Sequence, residues 1–81
     1  MTYSVVYEKI NEPNFPEGFF YAHIPVLDLT TQGLGIEGAR LAAIDLIRLW
    51  IEEKKAHGEP VKFESESFHS IVEIDDAIFS A

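Results

Sequence analysis

The sequence predicts an α+β fold, a two-layer sandwich of order β-β-β-α-β in which an antiparallel sheet carries one long helix on one face. Three observations point there. Residues 33–58 have the composition and period of a single helix. Residues 2–9, 19–24 and 68–74 are rich in β-branched and aromatic side chains, and 27–32 is read as a short strand between them and the helix. Prolines and glycines fall at the joints between these stretches. One helix among several strands buries its stripe by lying across a sheet face.

The first strand, 2–9, contains Tyr3, Val5, Val6 and Tyr7. Asn11-Glu12-Pro13-Asn14-Phe15-Pro16-Glu17-Gly18 is a polar loop broken by two prolines and a glycine. The second strand, 19–24, has two unlike faces: Phe20, Ala22 and Ile24 alternate with Phe19, Tyr21 and His23. The first set is expected to face the helix, with Ala22 small enough to admit it. The second set then lines the open face. Pro25 ends that strand, having no N–H for a ladder. Residues 27–32 form a short third strand that runs into the Gly33 turn.

In the helix, straight-chain formers dominate. Glu37 lies in the first turn and Lys54, Lys55 and His57 in the last, the order that the helix dipole favours. Gly58 before Glu59-Pro60 is a stop signal. At about 100° per residue, Ile36, Ala39, Ala43, Leu46, Ile47 and Trp50 form one stripe, while Glu37, Arg40, Asp45, Arg48, Glu52 and Lys55 gather opposite. Ile44, Ile47 and Ile51 widen the apolar sector beyond what one sheet face covers. Either the core stripe is broad, or this flank is a second contact surface, for another copy or another protein. After the helix, 61–63 are extended, Glu64-Ser65-Glu66-Ser67 is a solvated link, and 68–74 make the fourth strand. There Phe68, Val72 and Ile74 oppose His69, Ile71 and Glu73. The core spans 2–75, and the last residues fray or add a helical turn.

At 81 residues the chain is one domain. A domain this small buries only about 60% of its unfolded surface, so self-association or a partner is expected to complete it. The absence of cysteine excludes disulfides, thiolate nucleophiles and zinc–thiolate sites, and fits a reducing cytoplasm. No basic segment followed by an apolar run opens the sequence, and 41–51, the most apolar run, contains Asp45 and Arg48. A signal peptide and a membrane span are therefore not expected. Six Lys and Arg stand against fourteen Asp and Glu, a net charge of −8. This disfavours direct contact with nucleic acid or anionic membranes and favours a basic protein partner. Solubility alone also accounts for acidity.

Chemistry is hard to find. Gly33-Leu34-Gly35-Ile36-Glu37-Gly38 matches the dinucleotide-binding fingerprint between a strand and a helix. The acid required about 20 residues on should end a second parallel strand, but here Glu52 and Glu53 lie within the helix. The glycines are better explained by a tight turn. His23, His57 and His69 lack ligand spacing, and His69-Ser70 are strand neighbours that point to opposite faces. The pairs Glu52-Glu53 and Asp75-Asp76 read as solvated, without the facing geometry of an acid–base pair. Tyr3, Tyr7, Phe19 and Tyr21 could stack bases, but such platforms have basic rims, and here Glu8, Glu12 and Glu17 are the neighbours. No catalytic residue, cofactor or metal site is assigned. The contact residues expected are Ile44, Ile47 and Ile51 on the helix, with Phe19 and Tyr21 on the sheet.

The ordered set Gly18-Phe19-Phe20-Tyr21-Ala22-His23-Ile24-Pro25, Leu27 and Thr31-Gln32-Gly33 resembles the signature of HicB-like antitoxins. Glu37 and Ala39, Leu49-Trp50-Ile51-Glu52 and Gly58-Glu59-Pro60 extend the resemblance over residues 3–60. It implies a partial RNase-H-like or double-stranded-RNA-binding-like fold. It also implies a non-catalytic role, binding and neutralising a small basic HicA-type toxin that cleaves messenger RNA. Leu34 and Gly35 stand where the family usually has Asp and Ser or Thr, so the helix lacks a side-chain cap. The family's Pro-Gly-Cys region is shortened to Asp28-Leu29. About twenty acidic, strand-like residues follow Pro60 where many members carry a DNA-binding segment, so direct operator contact is not expected. The alternatives are a small RNase-like or hydrolytic enzyme and an orphan oligomeric domain.

Overall fold

The computed structural model describes residues 1–64 and 70–75. Strands β1 (Val6–Lys9), β2 (Phe19–Ile24) and β3 (Leu29–Leu34) form an antiparallel meander in the order β1-β2-β3, followed by helix α1 (Gly35–Ala56). The α+β class, with one long helix packed on the sheet among the described residues, is as the sequence predicts. Tyr7 pairs with Ala22, which pairs with Thr31, and this row faces α1. By alternation Val6, Glu8, Phe19, Tyr21, His23, Thr30, Gln32 and Leu34 share the other face.

The core is thin. Ala22, Ile24, Ala39 and Ala43 are its buried centre, and Ile24 is the only large side chain fully buried among the described residues. Alanine on both layers lets α1 come close. Gly33 takes this to its limit, because a Cβ there would lie 2.4 Å from the carbonyl carbon and oxygen of Gly38 and 2.5 Å from the nitrogen of Ala39. The nearest backbone approaches of α1 are therefore to β3 and β2. The rest of the packing comes from partly buried Tyr3, Val5, Tyr7, Phe20, Val26, Leu27, Leu29, Leu46 and Ile47.

Several expectations are corrected. The third strand lies two residues later than 27–32, because Pro25–Leu27 make a 3-10 turn closed by Asp28 at φ 53°. The chain thus re-enters the ladder at Leu29 and continues through Gly33 and Leu34, opposite Phe20 and Phe19. The helix consequently starts at Gly35 and not at Gly33. Gly35, at φ 69°, turns the chain, and its N–H donates to the Gly18 carbonyl at 2.7 Å. No side chain caps this end. The C-terminus is a Schellman motif: Glu59 N–H reaches the Lys54 carbonyl at 2.9 Å and Gly58 N–H, at φ 66°, the Lys55 carbonyl at 3.1 Å.

The first strand is shorter than 2–9, since only Val6–Lys9 pair with β2. Thr2 instead bridges Glu64, and the Glu64 carboxylate accepts from the Ser4 N–H at 3.1 Å and the Ser4 hydroxyl at 2.6 Å. Glu64 is therefore a fastening and not part of a solvated link. The Tyr3 hydroxyl adds a bond to the Lys62 carbonyl. The expected fourth strand is not formed over residues 70–74, where Ile71, Val72 and Ile74 are exposed; Phe68 and His69 lie outside the described residues. Ile36, assigned to the core stripe, is 54% exposed beside the turn. Trp50 is half-buried outside the central cluster, with the Lys54 ammonium 5.7 Å from its ring centroid.

Candidate interaction surfaces

The five expected contact residues divide between two places. Phe19 and Tyr21 lie on the sheet face turned away from α1, while Ile44, Ile47 and Ile51 lie on a flank of the helix.

On the open sheet face, alternation along β2 aligns Phe19, Tyr21 and His23. Phe15 from the preceding loop folds over them, with ring centroids 6.0 Å from Phe19 and 6.2 Å from Tyr21, the latter edge-on. Tyr21 lies 5.8 Å from the His23 ring. Carboxylates border this row. The Tyr21 hydroxyl donates to Glu12 Oε1 at 3.0 Å, and that bond, with some burial and the nearby charges of Glu12 and Glu8, raises the phenol pKa. His23 Nε2 is 3.2 Å from Glu8 Oε1 and Nδ1 is 2.9 Å from Thr30 Oγ1. With Nε2 donating to the Glu8 carboxylate and Nδ1 accepting from the Thr30 hydroxyl, all three groups find a partner. Leu34 ends the face at 63% exposure. None of Val6, Glu8, Phe19, Tyr21, His23, Thr30, Gln32 and Leu34 is Lys or Arg, and neither loop contributor, Glu12 or Phe15, is. The face is aromatic in the middle and acidic at the rim.

The second place is a groove of about 470 Å³ where α1 leans toward β3 and leaves the inner side of the first-strand segment uncovered. Tyr3, Val5, Tyr7, Ala43, Ile44 and Ile47 line it together with Arg40 and Arg48, and the Arg40 guanidinium donates to Glu37 Oε1 at 3.0 Å. Ile51, half-buried, lies one turn beyond Ile47 on the same flank. The sequence places Arg40 and Arg48 on the polar side of α1; they instead border the apolar flank. Their i, i+8 spacing around Ile44 is a same-face signal that could have placed them there. Tyr3, Val5 and Tyr7 carry an alternation that marks one strand face but not that the helix leaves it open.

The other candidates do not assemble. Gly33 and Gly38 of the glycine motif are pressed on each other, at 3.5 Å from the Gly38 Cβ position to the Gly33 carbonyl carbon, and the Gly35 N–H is already bonded. His57 Nδ1 sits 2.8 Å from the Glu53 carbonyl at the helix end. His69 and Asp76 lie outside the described residues. Among the described residues no three His, Cys, Asp or Glu side chains gather as metal ligands, and no helix is long and apolar enough to cross a membrane. No family model, curated protein or solved structure matches the chain.

Proposed function

We propose that this chain is a non-catalytic protein-binding module of the HicB antitoxin type, which covers and neutralises a small basic HicA-type toxin. The observation that carries the reading is the open sheet face: an aromatic row of Phe15, Phe19 and Tyr21 bordered by Glu8 and Glu12, without a Lys or Arg. Aromatic side chains supply buried area at low entropic cost, and an acidic rim steers a basic protein and repels nucleic acid. The order of motifs over residues 3–60 supports the same family, and the charge of −8 suits a basic partner.

The test is an RNA-cleavage assay with a purified basic HicA-type toxin encoded beside this chain. The chain is expected to stop cleavage near equimolar ratio. Glu8→Lys with Glu12→Lys is expected to restore cleavage while leaving the circular-dichroism spectrum unchanged. Undiminished cleavage with the chain in excess would overturn the proposal. Cleavage of RNA by the chain alone, lost in His23→Ala, would replace it with the enzymatic reading.

A further inference from the structure

We infer that β3 is a dimerisation edge: two copies of this chain join strand to strand along Leu29–Leu34, about a two-fold axis at Gln32, into one continuous antiparallel sheet. This surface is separate from the aromatic row of the open face, and the inference does not depend on the toxin-binding reading.

The ladder fixes which groups of β3 are free. The Gly35 N–H donates to the Gly18 carbonyl, and the register runs on from there with Phe19 opposite Leu34 and Phe20 opposite Gly33. Bonded and non-bonded pairs alternate between antiparallel strands, so Leu29, Thr31 and Gly33 turn their main-chain groups toward β2. The far side of β2 agrees, because the Phe19 carbonyl accepts from the Ile10 N–H and thus faces the first strand. The N–H and C=O of Thr30, Gln32 and Leu34 therefore point out of the sheet edge, and among the described residues no strand meets them. An antiparallel copy satisfies them all. Gln32 then faces Gln32 of the second copy, and Thr30 of each faces Leu34 of the other, so the contact is reciprocal and closes.

Charge, helix position and the exposed leucines choose a second copy as the occupant. From Leu29 to Leu34 the strand has no charged residue and no proline, and its register with β2 is unbroken over all six residues. Exposed edges are ordinarily blunted by charge, proline or a bulge, and this one has none of them. The other edge strand, β1, is shorter and carries Glu8 and Lys9. At a net charge of −8 two copies repel over most approaches, whereas along β3 no charge of one strand meets a charge of the other. The helix leaves room as well. A Cβ on Gly38 would lie 3.8 Å from the Leu34 Cβ, so this flank of α1 stands over β3. Ala42 and Leu49 continue it, about 140–160° round the helix from Ile44 in the groove on the other flank. With α1 over β3 and β2, the helices of the two copies stand about two strand spacings apart, close to 10 Å, a distance at which helices pack. Gly38 and Ala42 permit that approach. Leu49, 62% exposed, gains a neighbouring helix, and Leu34 gains a cross-strand partner.

The test uses the full chain, which has no cysteine of its own. Sedimentation velocity over the micromolar range is expected to show a wild-type dimer. Gln32→Cys should close a disulfide between copies under mild oxidation, since facing Cα atoms of a bonded pair lie about 5.5 Å apart. Thr30→Cys is the control. In this register its two copies are four residues out of step, about 13 Å, and should not cross-link, whereas Thr30→Cys mixed with Leu34→Cys should. Gln32→Lys and Gln32→Glu, at an exposed position, should each weaken dimerisation about tenfold, because like charges then face each other whichever sign is introduced. The circular-dichroism spectrum should not change. Amide exchange at Thr30 and Leu34 should quicken in both variants while Thr31 and Gly33 stay protected. A wild-type chain that is monomeric at every concentration overturns the inference. So does a dimer in which Gln32→Cys cross-links no faster than Thr30→Cys, or one indifferent to both charges at Gln32.

Discussion

Gly33→Ala probes the joint on which the two layers close. The added Cβ would lie 2.4 Å from the Gly38 carbonyl carbon and oxygen and 2.5 Å from the Ala39 nitrogen, all of them helix backbone. Backbone cannot rotate aside as a side-chain tip can, so α1 must lift from β3. Overpacking in a well-packed core costs about 1–3 kcal/mol, and here the upper end applies because the start of the helix moves as a unit. A domain of this length has roughly 4–12 kcal/mol in total, so about 3 kcal/mol lowers Tm by about 15 °C. The other two glycines of the motif are the controls. Gly35→Ala meets nothing within 4 Å but sits at φ 69°, a cost of roughly 1–2 kcal/mol. Gly38→Ala finds its nearest neighbour at 3.5 Å in a regular helix, so improved propensity should stabilise by up to about 1 kcal/mol. Urea unfolding followed by circular dichroism should rank the stabilities Gly38→Ala, wild type, Gly35→Ala, Gly33→Ala. A Gly33→Ala chain within about 1 kcal/mol of wild type would refute the close approach.

Trp50→Ala should cost about 1–2 kcal/mol in the same assay and not the 3–5 kcal/mol of a core tryptophan, because Trp50 is half-buried beside Lys54. A larger loss would mean that it belongs to the core. Glu64→Ala removes the carboxylate that binds Ser4 N–H and hydroxyl, and should destabilise by roughly 1–2 kcal/mol. Faster amide exchange at Ser4 should accompany it. Tyr21 should ionise above the ordinary phenol range, since its proton is held by Glu12 and its anion would face Glu12 and Glu8. A raised folded-state pKa means a stabilising contribution that is complete below the unfolded value and lost as pH rises through the folded value. Absorbance titration should show Glu12→Gln lowering the Tyr21 midpoint, and an unchanged midpoint would remove the assigned cause.

Much of the fold is local and could be read from residue order. The second strand was legible because Phe20-Ala22-Ile24 and Phe19-Tyr21-His23 differ in character, and those two sets do face opposite ways. The end of the helix was legible in Gly58 and Pro60. The third strand slipped by two residues because Pro25 starts a 3-10 turn, and the left-handed Asp28 that closes it carries no strong local signal. Ile36 and Trp50 fit the helical stripe by angle alone, but a sheet of three short strands does not reach both ends of a 22-residue helix. Of the candidate contacts, Ile44 and Ile47 were legible as excess apolar width. Their separation from Phe19 and Tyr21 was not, since it depends on which strand the helix leans over.

Isothermal calorimetry of the chain against a purified basic HicA-type toxin tests the binding role most directly. Compared at low and moderate salt, the account predicts saturable binding that weakens with salt and is largely lost in Glu8→Lys with Glu12→Lys. Absence of binding at every salt concentration, or binding indifferent to both charge reversals, would contradict it.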